Sequence, residues 1–202
     1  MTRFTRLCRA VGVGLAVATA TLGMTQAADA APAPADVPAN LVPKGASPFL
    51  TAHAKGVQIY KCQSVTTNGA PTFSWVFQGP RATLTGDNGQ VVATHFAGPG
   101  GPTDPRWAAP DKSSSVAGKV TARFPLPENF DPATAKDIQQ LLLAGTPSGT
   151  GLFGATTFIQ RLNTQGGTQP PTAECKAQTA DKVKEVPYQA DYVFFKAAVK
   201  PA

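Results

Sequence analysis

Reactive side chains are scarce in this chain. It contains three cysteines and two histidines, and its only glutamates are Glu128, Glu174 and Glu185. Two histidines are too few for a three-histidine metal site, and no His-Glu-x-x-His sequence occurs. The chain also lacks a Gly-x-Ser-x-Gly nucleophile elbow and a phosphate-binding glycine motif that opens a helix. These absences predict no metal and no cofactor, and they favour a protein that is not an enzyme.

Clustered positive charge is also missing. The formal net charge is +6, but the basic residues are scattered along the chain without a basic run. Nucleic-acid-binding proteins concentrate such charge on one face, so the pattern argues against a nucleic-acid partner. A weak attraction to anionic polymers of a cell surface remains open.

The N-terminus has the pattern of an export signal. Three arginines precede a short apolar run, Val11–Leu22, which is too short for a membrane span. Ala28-Asp29-Ala30 is a small-x-small site, so we place cleavage after Ala30, with Ala27 as the second choice. Residues 1–30 are therefore predicted to be a signal peptide, and the protein is predicted to be secreted or extracytoplasmic, without a membrane span after cleavage.

The predicted mature chain consists of a tether and one domain. Residues 31–42 are rich in proline and alanine and predict a flexible tether, and residues 43–202 suit a single β-rich domain. Cleavage would remove Cys8 and leave Cys62 and Cys175. Two cysteines in an exported chain predict one disulfide, with two free thiols as the alternative.

Short stretches of alternating apolar residues predict strands through most of the domain. Glycine-bearing turns, such as Asn68-Gly69, separate several of them. The pattern predicts an all-β fold, a mostly antiparallel sandwich or barrel, with one short helix. The helix is placed at Pro132–Ala144 with Asp131 as N-cap, although Leu141–Leu143 also fits a buried strand. The predicted strands are Val57–Gln63, Phe73–Gln78, Ala82–Thr85, Gln90–Phe96, Val116–Phe124, Ala155–Asn163 and Val186–Ala197.

Several short motifs recur together in the order of a known family. They are Ile59-Tyr60-Lys61-Cys62, Trp75-Val76-Phe77, Thr94-His95-Phe96-Ala97-Gly98-Pro99, Leu141-Leu142-Leu143, Phe158-Ile159-Gln160-Arg161, Asn163-Thr164-Gln165-Gly166-Gly167 and Pro187-Tyr188-x-Ala190-Asp191-Tyr192. From about Leu41 to Lys196 the chain resembles the secreted bacterial and fungal family known as domain of unknown function 3455. The resemblance implies export and a single domain, and it implies no activity.

Four residues are the candidates for a ligand site. His95 ends a predicted strand before a Gly-Pro loop, and Trp107 lies within the long segment Gly98–Ser115, which we interpret as a loop. Arg161 and Asn163 share one face of a predicted strand. We expect these four side chains to line one concave surface that suits a polar, saccharide-like or anionic ligand. The alternatives are that His95 has its hydrogen bonds satisfied within the fold, that Trp107 anchors its own loop, and that Arg161 forms an ion pair with Asp191.

Three functions therefore stay open. The first is a non-catalytic extracellular binding or surface-associated domain. The second is an extracellular hydrolase with an unrecognised carboxylate or histidine site. The third is a structural or stress protein of the cell envelope.

Overall fold

Eight antiparallel strands contain most of the residues that the structure describes. The structure is a computed structural model that describes residues 37–199, so the predicted signal peptide lies outside the described residues. The strands are β1 (Ala46–Thr67), β2 (Ala70–Thr85), β3 (Val91–Gly98), β4 (Gly101–Ala108), β5 (Ser114–Phe124), β6 (Gln140–Gly149), β7 (Thr156–Gly166) and β8 (Val183–Ala197). Helical structure in the described residues is limited to short 3-10 turns at Ala39–Leu41, Pro127–Asn129, Thr172–Glu174 and Ala177–Thr179. None of these helices is long and apolar enough to cross a membrane.

The strands close into an up-and-down barrel. Each strand pairs with its neighbours in sequence, and β8 pairs with β1 to complete the ring. The first hairpin turns at Asn68-Gly69, where both residues have positive φ angles, 51° and 78°, as a tight two-residue turn requires. The all-β prediction is confirmed, and the sheet is a barrel rather than a sandwich.

Alternation along the strands separates the barrel interior from its outer face. In β8, Tyr188, Ala190, Tyr192 and Phe194 are all buried in the interior core, as the alternating pattern predicts. The alternation of β5 changes at a register shift between Val120 and Ala122. Val120 packs against the interior core, whereas Ala122 packs in a separate cluster outside it.

One end of the barrel interior is filled by side chains. Phe153, in the connection between β6 and β7, is fully buried, and its ring lies 4.9 Å from that of Phe194. Its backbone N–H donates to the Ser114 hydroxyl at 3.0 Å, which holds the connection against β5. The cavity of the interior is lined by residues of the connection between β5 and β6.

The helix predicted at Pro132–Ala144 is wrong. Asp131 does cap a turn, since its carboxylate accepts hydrogen bonds from Ala133 N–H and the Thr134 hydroxyl, both at 2.9 Å. The turn does not continue, because Leu141–Leu143 pairs with β5 on one side and β7 on the other. Tertiary pairing thus overrides the local helix signal, in favour of the alternative strand interpretation.

The long loop predicted at Gly98–Ser115 is also wrong. Its middle part is β4, and Trp107 lies within that strand, opposite His95 on β3 and Val116 on β5. The proline and glycine residues of this strand are typical of loops, so the sequence did not indicate a strand. A register shift next to Gly98 accommodates Pro105.

The last residues of the predicted tether pack on the barrel. Leu41 is 0% exposed and contacts an apolar cluster on the outer face, formed with Leu142, Leu162, Val193 and Phe195. The Gln160 side-chain amide donates to the Leu41 carbonyl at 2.7 Å. Residues 37–42 are therefore an ordered part of the barrel, and the remainder of the tether lies outside the described residues.

The predicted disulfide is confirmed. Cys62 on β1 and Cys175 are bonded, with Cα atoms 5.4 Å apart and a sequence separation of 113. The bond ties the connection between β7 and β8 to the extended β1–β2 hairpin. Trp75 reinforces the contact, because its indole N–H donates to the Pro171 carbonyl at 3.2 Å.

Candidate ligand-binding site

The open part of the barrel interior forms a cavity of about 740 Å³. Its volume is in the range that encloses a small organic ligand. Most of its wall is apolar, formed by Val76, Phe77, Pro80, Pro102, Pro105, Val120, Phe130, Ile138, Leu141 and Leu143. The polar lining residues are Gln58, Tyr60, His95, Thr103, Trp107, Lys119, Arg123, Gln139, Arg161 and Tyr192.

His95 and Trp107 form a stacked pair on adjacent strands. Their ring centroids are 4.2 Å apart and their planes differ by 5°. Tyr192 on β8 packs edge-on against both rings, at 5.3 Å from each. The stack fixes the orientation of a broad aromatic wall on one side of the cavity.

The histidine of this stack is a neutral ring with a defined tautomer. His95 Nδ1 lies 2.9 Å from the Arg106 carbonyl oxygen. Because a carbonyl can only accept, Nδ1 carries the hydrogen and Nε2 keeps its lone pair. Burial lowers the pKa of His95 to about 3, and the Arg161 charge acts in the same direction. His95 therefore acts as a hydrogen-bond acceptor at physiological pH.

Arg161 is held in place by a backbone carbonyl rather than by a carboxylate. Its Nε and Nη2 donate to the Gln139 carbonyl oxygen at 3.1 and 2.8 Å. Arg161 lies opposite Tyr192 in the β7–β8 ladder, which places it on the interior face. The alternative ion pair with Asp191 is wrong, because Asp191 lies on the outer face and binds other partners.

The cavity has positive charge without a matching negative charge. Lys119, Arg123 and Arg161 line it, whereas no aspartate or glutamate does. Among the described residues, none of these three cations has a carboxylate within ion-pair distance. An anion would therefore find an uncompensated positive potential inside the barrel.

Three buried lining residues also carry polar atoms without partners. Within the described part of the chain, Gln58 Nε2, Trp107 Nε1 and the Tyr192 hydroxyl have no partner in hydrogen-bond geometry, although the Tyr192 hydroxyl lies close to Tyr188 and Arg161. These residues are 2%, 1% and 1% exposed, respectively. Each of the three atoms can donate a hydrogen bond. An unpaired buried donor is costly, so this arrangement is typical of a site that a ligand or ordered water completes.

Tyr60 also lines the cavity, but its hydroxyl already has a hydrogen-bond partner. Its hydroxyl donates to the Gly167 carbonyl at 2.8 Å. Burial raises the pKa of Tyr60 to about 12, so the phenol stays protonated. Gly167 has a φ of +76°, and an added Cβ would lie 2.8 Å from Tyr188 Cβ and 3.0 Å from Gln58 Cγ. The glycine thus allows the close approach that holds Tyr60 and Gln58 in position.

Asn163 lies outside the cavity. Its φ of +50° breaks the alternation of β7, next to a register shift between Leu162 and Gln165. Its side chain is exposed and donates to Asp191 Oδ2 at 2.7 Å. His53 joins this outer cluster through Asp191 at 2.7 Å and Asp87 at 3.0 Å. The strand pattern, which puts Arg161 and Asn163 on one face, fails here because of the bulge.

The structure thus brings three of the four predicted site residues together. His95, Trp107 and Arg161 line one cavity, which lies inside the barrel. Sequence reasoning missed Gln58, Lys119 and Arg123. Gln58 falls on the interior face of β1 by simple alternation, so its position was available as a signal. The position of Arg123 could not be predicted by alternation, because the β5 register shift determines the face of the sheet on which it lies.

Fold and site together define a closed, eight-stranded up-and-down barrel with a cationic, largely apolar internal cavity. The chain matches the family described as Protein of unknown function (DUF3455) over residues 43–196, and it belongs to that family. The resemblance found in the sequence motifs is thereby confirmed. No curated protein and no solved structure matches the chain.

Proposed function

We propose that this protein is a non-catalytic, extracytoplasmic binding protein that encloses a small polar or anionic ligand in the barrel cavity. The observation that carries the proposal is the combination of an apolar cavity of about 740 Å³ with three buried, unpartnered donors. A cavity that served only as packing would be expected to close or to pair its polar atoms.

Binding is favoured over hydrolysis by the residues of the cavity. The lining residues include no serine, cysteine, aspartate or glutamate. Hydrolytic sites usually pair a nucleophile or an activated water with a base whose pKa lies near the working pH. His95 is a poor base of this kind, because burial lowers its pKa to about 3.

The disulfide supports a location outside the cytoplasm. Stable disulfides form and persist mainly in oxidising compartments. The Cys62–Cys175 bond and the export pattern of residues 1–30 agree on this point. We therefore propose that the ligand is met outside the cytoplasm.

A cavity-filling variant tests the proposal. N-phenyl-1-naphthylamine is a neutral probe whose fluorescence rises in apolar surroundings, and it should bind saturably with one site per chain. Val120 lines the cavity, so Val120→Trp should weaken binding at least tenfold. Thr94 lies exposed on β3, and Thr94→Trp should leave the affinity unchanged. Circular dichroism and thermal melting establish that both variants fold.

Two results would overturn the proposal. One is a folded wild-type protein that binds neither this probe nor its anionic analogue 1-anilinonaphthalene-8-sulfonate. The other is equal binding by wild type and a folded Val120→Trp protein, which would place the probe elsewhere on the surface.

A further inference from the structure

We propose that the ligand of the cavity is a carboxylic acid with a flat, largely hydrocarbon body, and that Arg161 binds its carboxylate. This inference rests on the proposed function, because it names the chemistry of the ligand for the same cavity. It assigns separate tasks to the guanidinium, to the unpartnered donors and to the aromatic and aliphatic walls.

The bonds that Arg161 already makes leave one edge of its guanidinium free. The group has five N–H donors in a rigid plane. The Gln139 carbonyl takes one hydrogen from Nε and one from Nη2. Three hydrogens remain on the two terminal nitrogens, and two of them point in parallel from the end of the plane. This end-on pair matches the two oxygens of a carboxylate in a bidentate contact.

The unpartnered polar atoms of the lining residues are also donors. Gln58 Nε2, Trp107 Nε1 and the Tyr192 hydroxyl are buried and unpartnered within the described residues. A carboxylate only accepts hydrogen bonds, so it suits a cavity whose unpartnered polar atoms are donors. No carboxylate side chain lines the cavity to compete for them.

The same inventory disfavours an uncharged sugar. Each sugar hydroxyl needs an acceptor as well as a donor, and carboxylate side chains are the strongest acceptors that proteins provide. Here the strong acceptors are absent from the lining, and the His95 Nε2 lone pair is one of the few left. A ligand with many hydroxyls would bury several of them unsatisfied.

The walls fit a flat apolar body. The His95–Trp107 stack presents a planar surface, and Leu141, Leu143 and Val120 supply aliphatic wall elsewhere in the cavity. Burying hydrocarbon here contributes about 25 cal/mol per Å² of apolar surface. The exposed cations Lys119 and Arg123 also line the cavity and would attract an anion towards it.

A pair of matched compounds tests the assignment on the full chain. 2-Naphthoic acid is an anion at pH 7, and 2-naphthamide is its neutral analogue of nearly the same shape. We expect one site per chain by isothermal titration calorimetry, with the acid binding at least tenfold more tightly than the amide. Glucuronic acid, which has the carboxylate without the flat hydrocarbon body, should bind at least tenfold more weakly than 2-naphthoic acid.

Variants of Arg161 separate charge from geometry. Arg161→Gln should weaken 2-naphthoic acid at least tenfold while changing 2-naphthamide by less than twofold. Arg161→Lys keeps the positive charge but lacks the planar guanidinium, so it should recover only part of the lost affinity for 2-naphthoic acid. This variant also provides a test if the Gln variant fails to fold. Arg81 lies exposed on the outer face and pairs with Glu185 at 2.6 Å, so Arg81→Gln is the matched control and should change neither affinity.

The outcomes distinguish this inference from the proposed function. If acid and amide bind equally, and both are lost in Val120→Trp, the cavity binds ligands but the carboxylate assignment is wrong. If glucuronic acid binds more tightly than 2-naphthoic acid, the inference that the ligand has a flat hydrocarbon body is wrong. Equal weakening of acid and amide by a folded Arg161→Gln protein would make Arg161 a structural residue. If neither naphthyl compound nor the neutral fluorescent probe binds, the proposed function itself fails.

Discussion

His95 and Trp107 stack face to face across the β3–β4 ladder, with ring centroids 4.2 Å apart. The stack is a consequence of strand register, because the two residues are directly opposite each other. Cross-strand aromatic pairs of this kind stabilise a sheet and fix the position of both rings. In this barrel they also place a neutral imidazole at the wall of the cavity.

The first prediction concerns the titration of His95. Its pKa is lowered to about 3 in the folded protein, from 6.5 in an unfolded chain. The unfolded state therefore binds a proton that the folded state does not, and stability from this group is lost as pH falls below 6.5. The expected slope approaches 1.4 kcal/mol per pH unit, by the usual linkage relation. Urea denaturation at pH 4, 5, 6 and 7 measures it.

Two variants test whether His95 causes this pH dependence of stability. His95→Phe keeps an aromatic ring against Trp107 and should remove most of the slope between pH 6.5 and 4. His53→Gln should leave the His95 contribution in place. A nuclear magnetic resonance signal of His95 that titrates near 6.5 would contradict the prediction directly.

His53 should behave in the opposite way. The hydrogen bonds that His53 donates to Asp191 and, to a smaller extent, to Asp87 raise its pKa above 6.5. The stability that this contact contributes is fully present below pH 6.5 and is lost as pH rises through the folded-state pKa. Because the group is half exposed, solvent screening should keep the effect below about 1 kcal/mol. Asp191→Asn should lower the pKa of His53 more than Asp87→Asn does, as measured by a resonance titration of the two variants.

Leu41 provides a test of the outer-face cluster. Its side chain is completely buried against β6, β7 and β8. Leu41→Ala should lower the free energy of unfolding by about 2–5 kcal/mol, the usual cost of truncating a buried leucine. The adjacent Val42 is 52% exposed, so Val42→Ala is the control and should change stability by less than about 0.5 kcal/mol. Equal effects of the two substitutions would mean that this segment does not pack as described.

The regular strands of this fold are predictable from sequence because their alternation is clean. Residues Tyr188 to Phe194 alternate between core and outer face in β8, and this pattern alone places Tyr192 inside the barrel. The β4 strand was missed because Pro102, Pro105 and the adjacent glycines are typical of loops. It pairs with its sequence neighbours β3 and β5 through short connections, but the segment itself lacks the alternating pattern that would reveal a strand.

The site was predictable to the extent that alternation persists. Arg161 and His95 lie where the strand pattern puts them, on interior faces. Asn163 does not, because a bulge turns it outwards to Asp191. Closure of the barrel by β1 and β8 decides which side is enclosed. A pattern of alternating residues fits a sandwich equally well, so the cavity itself was beyond sequence reasoning.

The last prediction concerns the disulfide. Cys62 and Cys175 are both buried, and their bond closes a loop of 113 residues. Cross-linking so distant a pair restricts the unfolded chain, and removing a native disulfide typically costs about 2–5 kcal/mol. Cys175→Ser should lower the free energy of unfolding by that amount in oxidising buffer. Neither cysteine lines the cavity, so a folded variant should retain probe binding at neutral pH.

A further comparison separates the contribution of the covalent bond from that of the packing of the sulfur atoms. Reduction of the wild-type protein removes the bond but keeps both sulfur atoms in the cluster with Trp75 and Tyr60. Reduced wild type should therefore lie between the oxidised protein and the double variant Cys62→Ser, Cys175→Ser, since serine adds the burial of two hydroxyls. If denaturation midpoints of the oxidised and reduced proteins coincide, the link contributes nothing measurable. The segment that follows Pro171 would then be held by the Trp75 hydrogen bond, by the backbone hydrogen bonds of Cys62 with Asp181 and Lys182, and by apolar contact.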